Sequence, residues 1–364
     1  MCEKSTHSLC WSARRKLSSF RDAVAATHRK LMFPLAFLML LETASTQSLR
    51  QTLEPRLARL STKSQSAVLL WDLPSSDILA VVRAEEFGIP RCLGSLLKPL
   101  LLLAYLSDLN ERCSEMTSQN LDVPPCPRGV ASSGSSQLVE RAAVSGLRPC
   151  VGRATSQCPV ECWFKAGHGT LDLTRALAAS CNQYFYQLSS RTPPTAFFTT
   201  LAALRVNASS GRTNSTLVPP ETMIGLDSSL RLVPLQVLRA YGNLISNHPS
   251  ADVDASTPAF ARAIVLGGLR LSAAEGTSVL AEQALPRDHH LLGKTGTSPA
   301  FVGGHYSKSR TDGWFLGFYP AAQPVLAVMV YYPGGLGAKD AAPLGGQAIR
   351  IYLEAVTESV TSDK

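Results

Sequence analysis

"LLGKTGTSPA", Leu291 to Ala300, sets a lysine and two threonines around a glycine directly after an apolar pair. Lys294-Thr295-Gly296-Thr297 reads as the end of a strand. Gly296 has no Cβ and lets another backbone come close. Lys294, Thr295 and Thr297 would line that approach with one positive charge and two hydroxyls, which suits a ligand carrying a carboxylate. On these four residues alone, a solvated strand end with a tight turn fits equally well. The rest of the chain has to decide.

Downstream, "DGWFLGFYP" and "PVLAVMVYYP" read as strands joined by a short turn, and "APLGGQAIRIYLEAV" closes the chain as a helix. Far upstream, "SAVLLWDLPSSDILAVV" reads as two strands around a Pro-Ser-Ser-Asp turn. Before them Leu49, Leu53, Leu57 and Leu60 recur at helical spacing and make one apolar stripe. Between these ends lies a helical middle. "GSLLKPLLLLAYLSDL" is an apolar helix opened by Gly94-Ser95, "TLDLTRALAASCNQYFYQL" is helical, and "VPLQVLRAYGNLIS" is a helix with Pro234 in its first turn. Residues 107–160 are rich in Ser, Pro, Cys and Gly and read as loop. The order predicts an α+β fold, with terminal helices on one antiparallel sheet and an all-helical block beside it.

The chain has 364 residues and is 45% hydrophobic, ample for a core. Its formal charge is +8, but much of the excess lies before residue 65 and no basic run interleaves with aromatics. A nucleic-acid groove is therefore not expected. "LMFPLAFLMLL", Leu31 to Leu41, is wholly apolar, with "THRK" before it and "ETASTQS" after it. Those are the parts of an export signal. The run falls short of the roughly 20 residues of a spanning helix, and it starts late for a signal peptide. Either the true start lies downstream of Met1 or the segment stays as an inner-membrane anchor. Residues 1–45 are thus expected to export or anchor a domain spanning 46–364, which would be periplasmic or held on the inner membrane facing outward.

Nine cysteines fit an oxidising compartment. Five of them, Cys113, Cys126, Cys150, Cys158 and Cys162, cluster. "CPVEC" has a CxxxC spacing, but no His pair follows it, so zinc is the weaker reading. One or two disulfides are expected, Cys150 to Cys162 being one candidate.

Three short motifs stand in order: "SLLK" (Ser95 to Lys98), "SCN" (Ser180 to Asn182) and "KTGT" (Lys294 to Thr297). Ser95 and Lys98 are three apart and share a helix face. A serine hydroxyl needs a base to become a nucleophile, and a lysine desolvated by "PLLLLAYL" can act as one. Alone, SxxK reads better as an ordinary helix start with a solvated lysine. Ser180 and Asn182 interrupt an apolar helix; a hydroxyl there could relay a proton, and an amide could hold a substrate amide. Alone, SCN reads better as a helix break.

Together the three motifs resemble those of penicillin-binding proteins and serine β-lactamases. "CWFKAGHGTLDLTRALAASCNQYFYQL", "LRLVPLQVLRAYGNLISN" and "DGWFLGFYPAAQPVLAVMVYYP" extend the resemblance to penicillin-binding transpeptidase domains over roughly residues 66 to 358. It implies a β-lactamase/transpeptidase-like fold and a serine DD-transpeptidase that cross-links peptidoglycan stem peptides and is acylated by β-lactams. Ser95 would be the nucleophile, Lys98 its base and Ser180 the proton relay. Asn182, Lys294, Thr295, Gly296 and Thr297 would bind substrate, with the N–H groups of Ser95 and Thr297 as the oxyanion hole. No metal or organic cofactor is implied, and a separate glycosyltransferase is a further expected partner, since the length leaves no room for such a domain here. A DD-carboxypeptidase, a β-lactamase and a penicillin-binding sensor without turnover are the alternatives. Departures are the missing proline in "CLGS", with Cys92 beside the site either reactive or paired, and "IGLD" at Ile224 to Asp227 in place of I-G-Q-G. Tyr241-Gly242-Asn243 spells a class D β-lactamase motif, but it falls in a helix pattern that accounts for it as packing.

Overall fold

The computed structural model describes residues 47–118, 143–209, 218–245 and 257–362. The apolar run Leu31–Leu41, Cys2, Cys10 and Cys126 lie outside the described residues. Among the described residues no helix is long and apolar enough to cross a membrane. The chain divides into two compact units, Met1–Thr52 and Leu53–Lys364. Of the first, only residues 47–52 are described, as the opening turns of a helix; the second carries everything below.

That helix, α1, covers residues 47–61. Strands β1 (Ala67–Asp72) and β2 (Ile78–Val82) form a hairpin, followed by a short helix α2 (Glu85–Gly88). A tight 3-10 turn, Gly94–Leu97, leads directly into α3 (Lys98–Ser118). The helical block continues with α4 (Leu173–Ala178), α5 (Asn182–Ser189), α6 (Pro194–Ala203), α7 (Pro220–Met223), α8 (Pro234–Ile245), α9 (Ala259–Ala274) and α10 (Val279–Gln283). Strands β3 (Leu292–Val302), β4 (His305–Tyr319) and β5 (Leu326–Tyr332) follow, and α11 (Ala342–Ser362) ends the chain.

The five strands form one antiparallel sheet in the order β2-β1-β5-β4-β3. Pleating sends alternate residues to opposite faces. Ala67, Leu69 and Trp71 of β1, with Trp314, Leu316 and Phe318 of β4, join the core shared with the helical block. The other face is covered by α11, which packs on β1, β4 and β5. Leu53 and Leu57 of α1 are fully buried, whereas Leu49 and Leu60 are only partly so. Arg56 makes a two-pronged bond to Glu358 of α11, at 2.6 and 3.1 Å. The two terminal helices thus pair as the sequence predicts, and the fold is α+β.

Three boundaries differ from expectation. Helix α3 runs to Ser118, well into the stretch read as loop, because no Pro or Gly interrupts the chain between Pro99 and Pro124. Lys294 to Thr297 is not a strand end but sits in the first half of β3. The strand continues because β3 is the sheet's edge and β4 pairs along nearly all of it; Pro299 is tolerated there, where no ladder N–H is required on the open side. The helical stretch read across Thr170–Leu188 is two separate helices, α4 and α5, and the interruption read at Ser180 to Asn182 is where they part. The expected Cys150–Cys162 disulfide is not formed. Cys150, Cys158, Cys162 and Cys181 are buried free thiols, and the sulfurs of Cys150 and Cys162 both turn to His168 instead of to each other. Cys113 is disulfide-bonded.

Candidate active site

The serine turn is positioned by main chain. Gly94 has φ +56°, and a Cβ there would lie 2.2 Å from the carbonyl oxygen of Thr297. Only glycine allows both the left-handed conformation and that approach. On the other side, a Cβ on Gly225 of the "IGLD" loop would lie 2.2 Å from the Gly94 carbonyl oxygen, so three backbones stack. A Cβ on Gly296 would meet the Leu93 carbonyl oxygen at 2.4 Å. The backbone that Gly296 admits is therefore the serine turn itself. From below, the buried Tyr241 hydroxyl donates to the Leu96 carbonyl at 2.6 Å and its ring stacks on Phe318. The Tyr-Gly-Asn triplet is packing, as its helix pattern predicts.

Ser95 lies in this 3-10 turn, half-buried, and the Lys98 N–H donates to its carbonyl. A period of three residues puts positions 95 and 98 on one face. Lys98 is fully buried at the start of α3. Its Nζ donates to the Ser180 carbonyl (2.7 Å), to Asn182 Oδ1 (2.7 Å) and, at 3.4 Å, to Ser180 Oγ. Lys294, also fully buried, donates to Ser180 Oγ at 2.9 Å and to the Thr295 carbonyl at 2.7 Å. Two buried lysine amines thus converge on one hydroxyl.

Ser180 holds φ 50°, a left-handed conformation that costs a non-glycine residue about 1–3 kcal/mol. Its surroundings impose it. The N–H groups of Ser180 and Cys181 close the tail of α4 on Leu177 and Ala176, while Trp163 Nε1 donates to the Ala179 carbonyl at 2.8 Å. Asn182 then starts α5, its Nδ2 donating to the Glu161 carbonyl at 3.1 Å.

Burial penalises the charged form of an amine. It brings Lys98 down to about 8. Lys294 falls well below the ordinary lysine range, through burial first and the nearby Lys98 charge second. Burial pushes the Cys92 thiol up to about 11, so this free cysteine is neither paired nor a reactive thiolate.

A cavity of about 880 Å³ opens over these groups and is lined by Ser95, Ser180, Asn182, Thr295 and Thr297. Thr295 Oγ1 donates to Thr277 Oγ1 at 2.7 Å, and the Gly337 N–H donates to Thr297 Oγ1 at 3.0 Å. Five of the eight residues singled out in the sequence thus line one cavity, Lys98 and Lys294 reach it through Ser180, and Gly296 backs onto the serine turn; among the described residues no hydrogen bond joins Ser95 Oγ to either lysine. Sequence reasoning missed Thr277, the positioning role of Tyr241, and the exposed Trp163 and Phe164 at the cavity wall. The only signal for that aromatic pair was its apolarity in a loop otherwise polar.

The sheet, the covering helices and the helical block define the fold of penicillin-binding transpeptidase domains, and solved structures of such domains superimpose on it. The transpeptidase domain of Burkholderia pseudomallei penicillin-binding protein 3 matches with a TM-score of 0.58 at 15% identity, covering 86% of this chain and 95% of that one. Pseudomonas aeruginosa PBP2, solved in complex with WCK 5153, matches at 0.56 and 16% identity over 84% and 77% of the two chains. Helicobacter pylori PBP2, solved in complex with MreC, matches at 0.56 and 17% over 82% and 63%. No curated protein matches the sequence significantly. The profile of the penicillin binding protein transpeptidase domain matches residues 152–350, more than half of the chain. The protein belongs to the penicillin-binding protein transpeptidase family, whose members are enzymes of the acyl-transferase and peptidase type. Ser180 and Lys294 lie inside the matched residues; Ser95 and Lys98 precede them.

Proposed function

We propose that the protein is a serine DD-transpeptidase that acylates Ser95 on D-Ala-D-Ala stem peptides, cross-links peptidoglycan and is trapped by β-lactams. The observation that carries this reading is the convergence of Lys98 and Lys294 on Ser180 in a cavity that Ser95 also lines. Lys98, neutral above about 8, takes the Ser95 proton as Oγ attacks the carbonyl between the two D-alanines. The N–H groups of Ser95 and Thr297 receive the developing oxyanion; the stacking of Gly94 on Thr297 supports that pairing. The C–N bond then breaks, and the terminal D-alanine leaves with a proton passed through Ser180. Lys294, Thr295 and Thr297 hold its carboxylate, and Asn182 the donor amide. An amine from a neighbouring stem peptide takes the acyl group and regenerates Ser95.

By the same reading, residues 1–45 export or anchor the domain spanning 46–364, which works in the periplasm or on the outer face of the inner membrane beside a separate glycosyltransferase. Mass spectrometry after exposure to penicillin tests the chemistry. A stable adduct on Ser95 that disappears in Ser95→Ala is expected. Adduct formation in Ser95→Ala refutes the assignment, and rapid release with product accumulation makes the protein a β-lactamase instead.

A further inference from the structure

Thr277 lies outside the three motifs, in the turn between α9 and α10, yet it lines the cavity and meets Thr295 hydroxyl to hydroxyl at 2.7 Å. We propose that Thr277 is a positioning residue for the substrate carboxylate: when the anion binds, Thr277 donates its hydrogen to Thr295 Oγ1 and so turns the hydrogen of Thr295 onto the carboxylate. The inference rests on the acyl-transfer reading above and deepens it at the carboxylate end of the cavity.

Counting hydrogens carries the argument. A threonine hydroxyl has one hydrogen to give and two lone pairs that receive. As the hydroxyls stand, Thr295 gives its hydrogen to Thr277, which leaves none for an anion. A carboxylate only accepts, and it holds a donor more strongly than a neutral oxygen does. Its binding therefore favours the reversed pair, with Thr277 as donor and Thr295 free to give. A separation of 2.7 Å serves either direction equally well. The reversal costs Thr277 little. Ser272 Oγ donates to Ser278 Oγ at 2.9 Å, so it faces Thr277 Oγ1 as an acceptor, and at 3.5 Å that bond is weak. Thr297 needs no such reversal. The Gly337 N–H donates to its Oγ1 at 3.0 Å, and an N–H cannot accept, so the hydrogen of Thr297 points elsewhere. Main chain thus fixes Thr297 as a donor, whereas Thr295 becomes one through Thr277.

The turn that carries Thr277 is wedged in place. The Thr277 N–H donates to the Ala178 carbonyl at 3.2 Å. A Cβ on Gly276 would lie 2.4 Å from that same oxygen, so the turn sits directly on the tail of α4, two residues before Ser180. On its other side a Cβ on Gly293 would lie 2.8 Å from the Cβ of Ser278, so the turn also rests on β3, one residue before Lys294. The Ser278 N–H closes it on the Ser272 carbonyl at 2.9 Å. Thr277 is therefore held against both the middle motif and the last one.

The test compares a penicillin with its methyl ester, which keeps the lactam and lacks the anion. Second-order rates of Ser95 acylation are read by mass spectrometry for the parent, Thr277→Val and Thr277→Ser, with incubation extended for the ester until its adduct is quantified. Thr277→Val keeps the shape and removes the hydroxyl. It should react about 3–10-fold more slowly with the penicillin, the effect of one hydrogen bond, and within about twofold of the parent with the ester. Thr277→Ser restores the hydroxyl and should restore the parent's rate with the penicillin. A role in shape alone would slow both compounds alike in Thr277→Val and would leave Thr277→Ser, which lacks the methyl group, impaired as well. Equal slowing of both compounds, or an unchanged penicillin rate in Thr277→Val, overturns the proposal and leaves the acyl-transfer reading standing. A parent that neither compound acylates overturns both. If circular dichroism shows Thr277→Val unfolded, the same comparison in Thr277→Ala decides.

Discussion

Lys98 makes three polar contacts while having no exposure to water. That combination is what a lysine base requires: hydrogen bonds orient the amine, and burial lets it lose its proton. The sign of the pH dependence follows. Below about 8 the amine is protonated and cannot accept the Ser95 proton. The second-order rate of acylation by a penicillin should therefore climb about tenfold per pH unit on the acid side and level off above that value. A climb continuing past about 10, the ordinary lysine range, would remove Lys98 from the role of base. Lys98→Ala should slow acylation about 10²–10⁴-fold, read by the same assay, with the protein still folded by circular dichroism. From SxxK one could read that Ser95 and Lys98 share one face, as they do; the roles of nucleophile and base came from the family resemblance. That Lys98 bonds Ser180 and Asn182, 82 and 84 residues away in the chain, was not legible. Such a contact depends on how two helices meet, and no local pattern encodes it.

At the scale of elements, the serine turn and β3 touch through glycine. Gly94→Ala would combine a left-handed φ of +56° with a carbonyl oxygen 2.2 Å from the new methyl group. The turn must then move off Thr297, and a displacement near 1 Å costs about 100-fold in rate. Acylation should fall by at least that much, alongside a lower melting temperature; an unchanged acylation rate would mean that Ser95 and Thr297 do not work as a pair. The strands and most helices could be read from the sequence, β1 and the second half of β4 as short apolar runs buried on both faces and α8 from its apolar stripe. Boundaries were misread where local composition lost to tertiary context. The break at Ser180 was legible, because Ser and Asn interrupt the apolar pattern of "ALAASCNQYF", but nothing there marks a serine forced to φ 50°. The loop at 150–169 was read for disulfides because cysteine spacing along the chain says nothing about where His168 turns.

Across the whole molecule, the sheet is sandwiched between the helical block and the paired terminal helices. The latter bury Leu53 and Leu57 at one end of the chain and bond Arg56 to Glu358 at the other. The ion pair is partly exposed and contributes little; the apolar stripe carries the attachment. Leu57→Ala should cost about 2–5 kcal/mol of unfolding free energy in urea titrations, while the penicillin adduct on Ser95 still forms in the fraction that remains folded. A loss under about 1 kcal/mol would mean that α1 is not integral to the fold.

The backbone stack of Gly225, Gly94 and Thr297 has a consequence for how this enzyme could change. Peptide planes in contact, with no side chain between them, leave rotamers and surface residues no lever on where the nucleophile stands. Variation around the mouth, at Phe164 or Leu280 for instance, would retune which molecules enter and leave the reacting oxygen where it is. Selectivity and reactivity are thus mechanically uncoupled, and a laboratory selection for new acyl donors should collect its substitutions in the loops while sparing the stacked glycines.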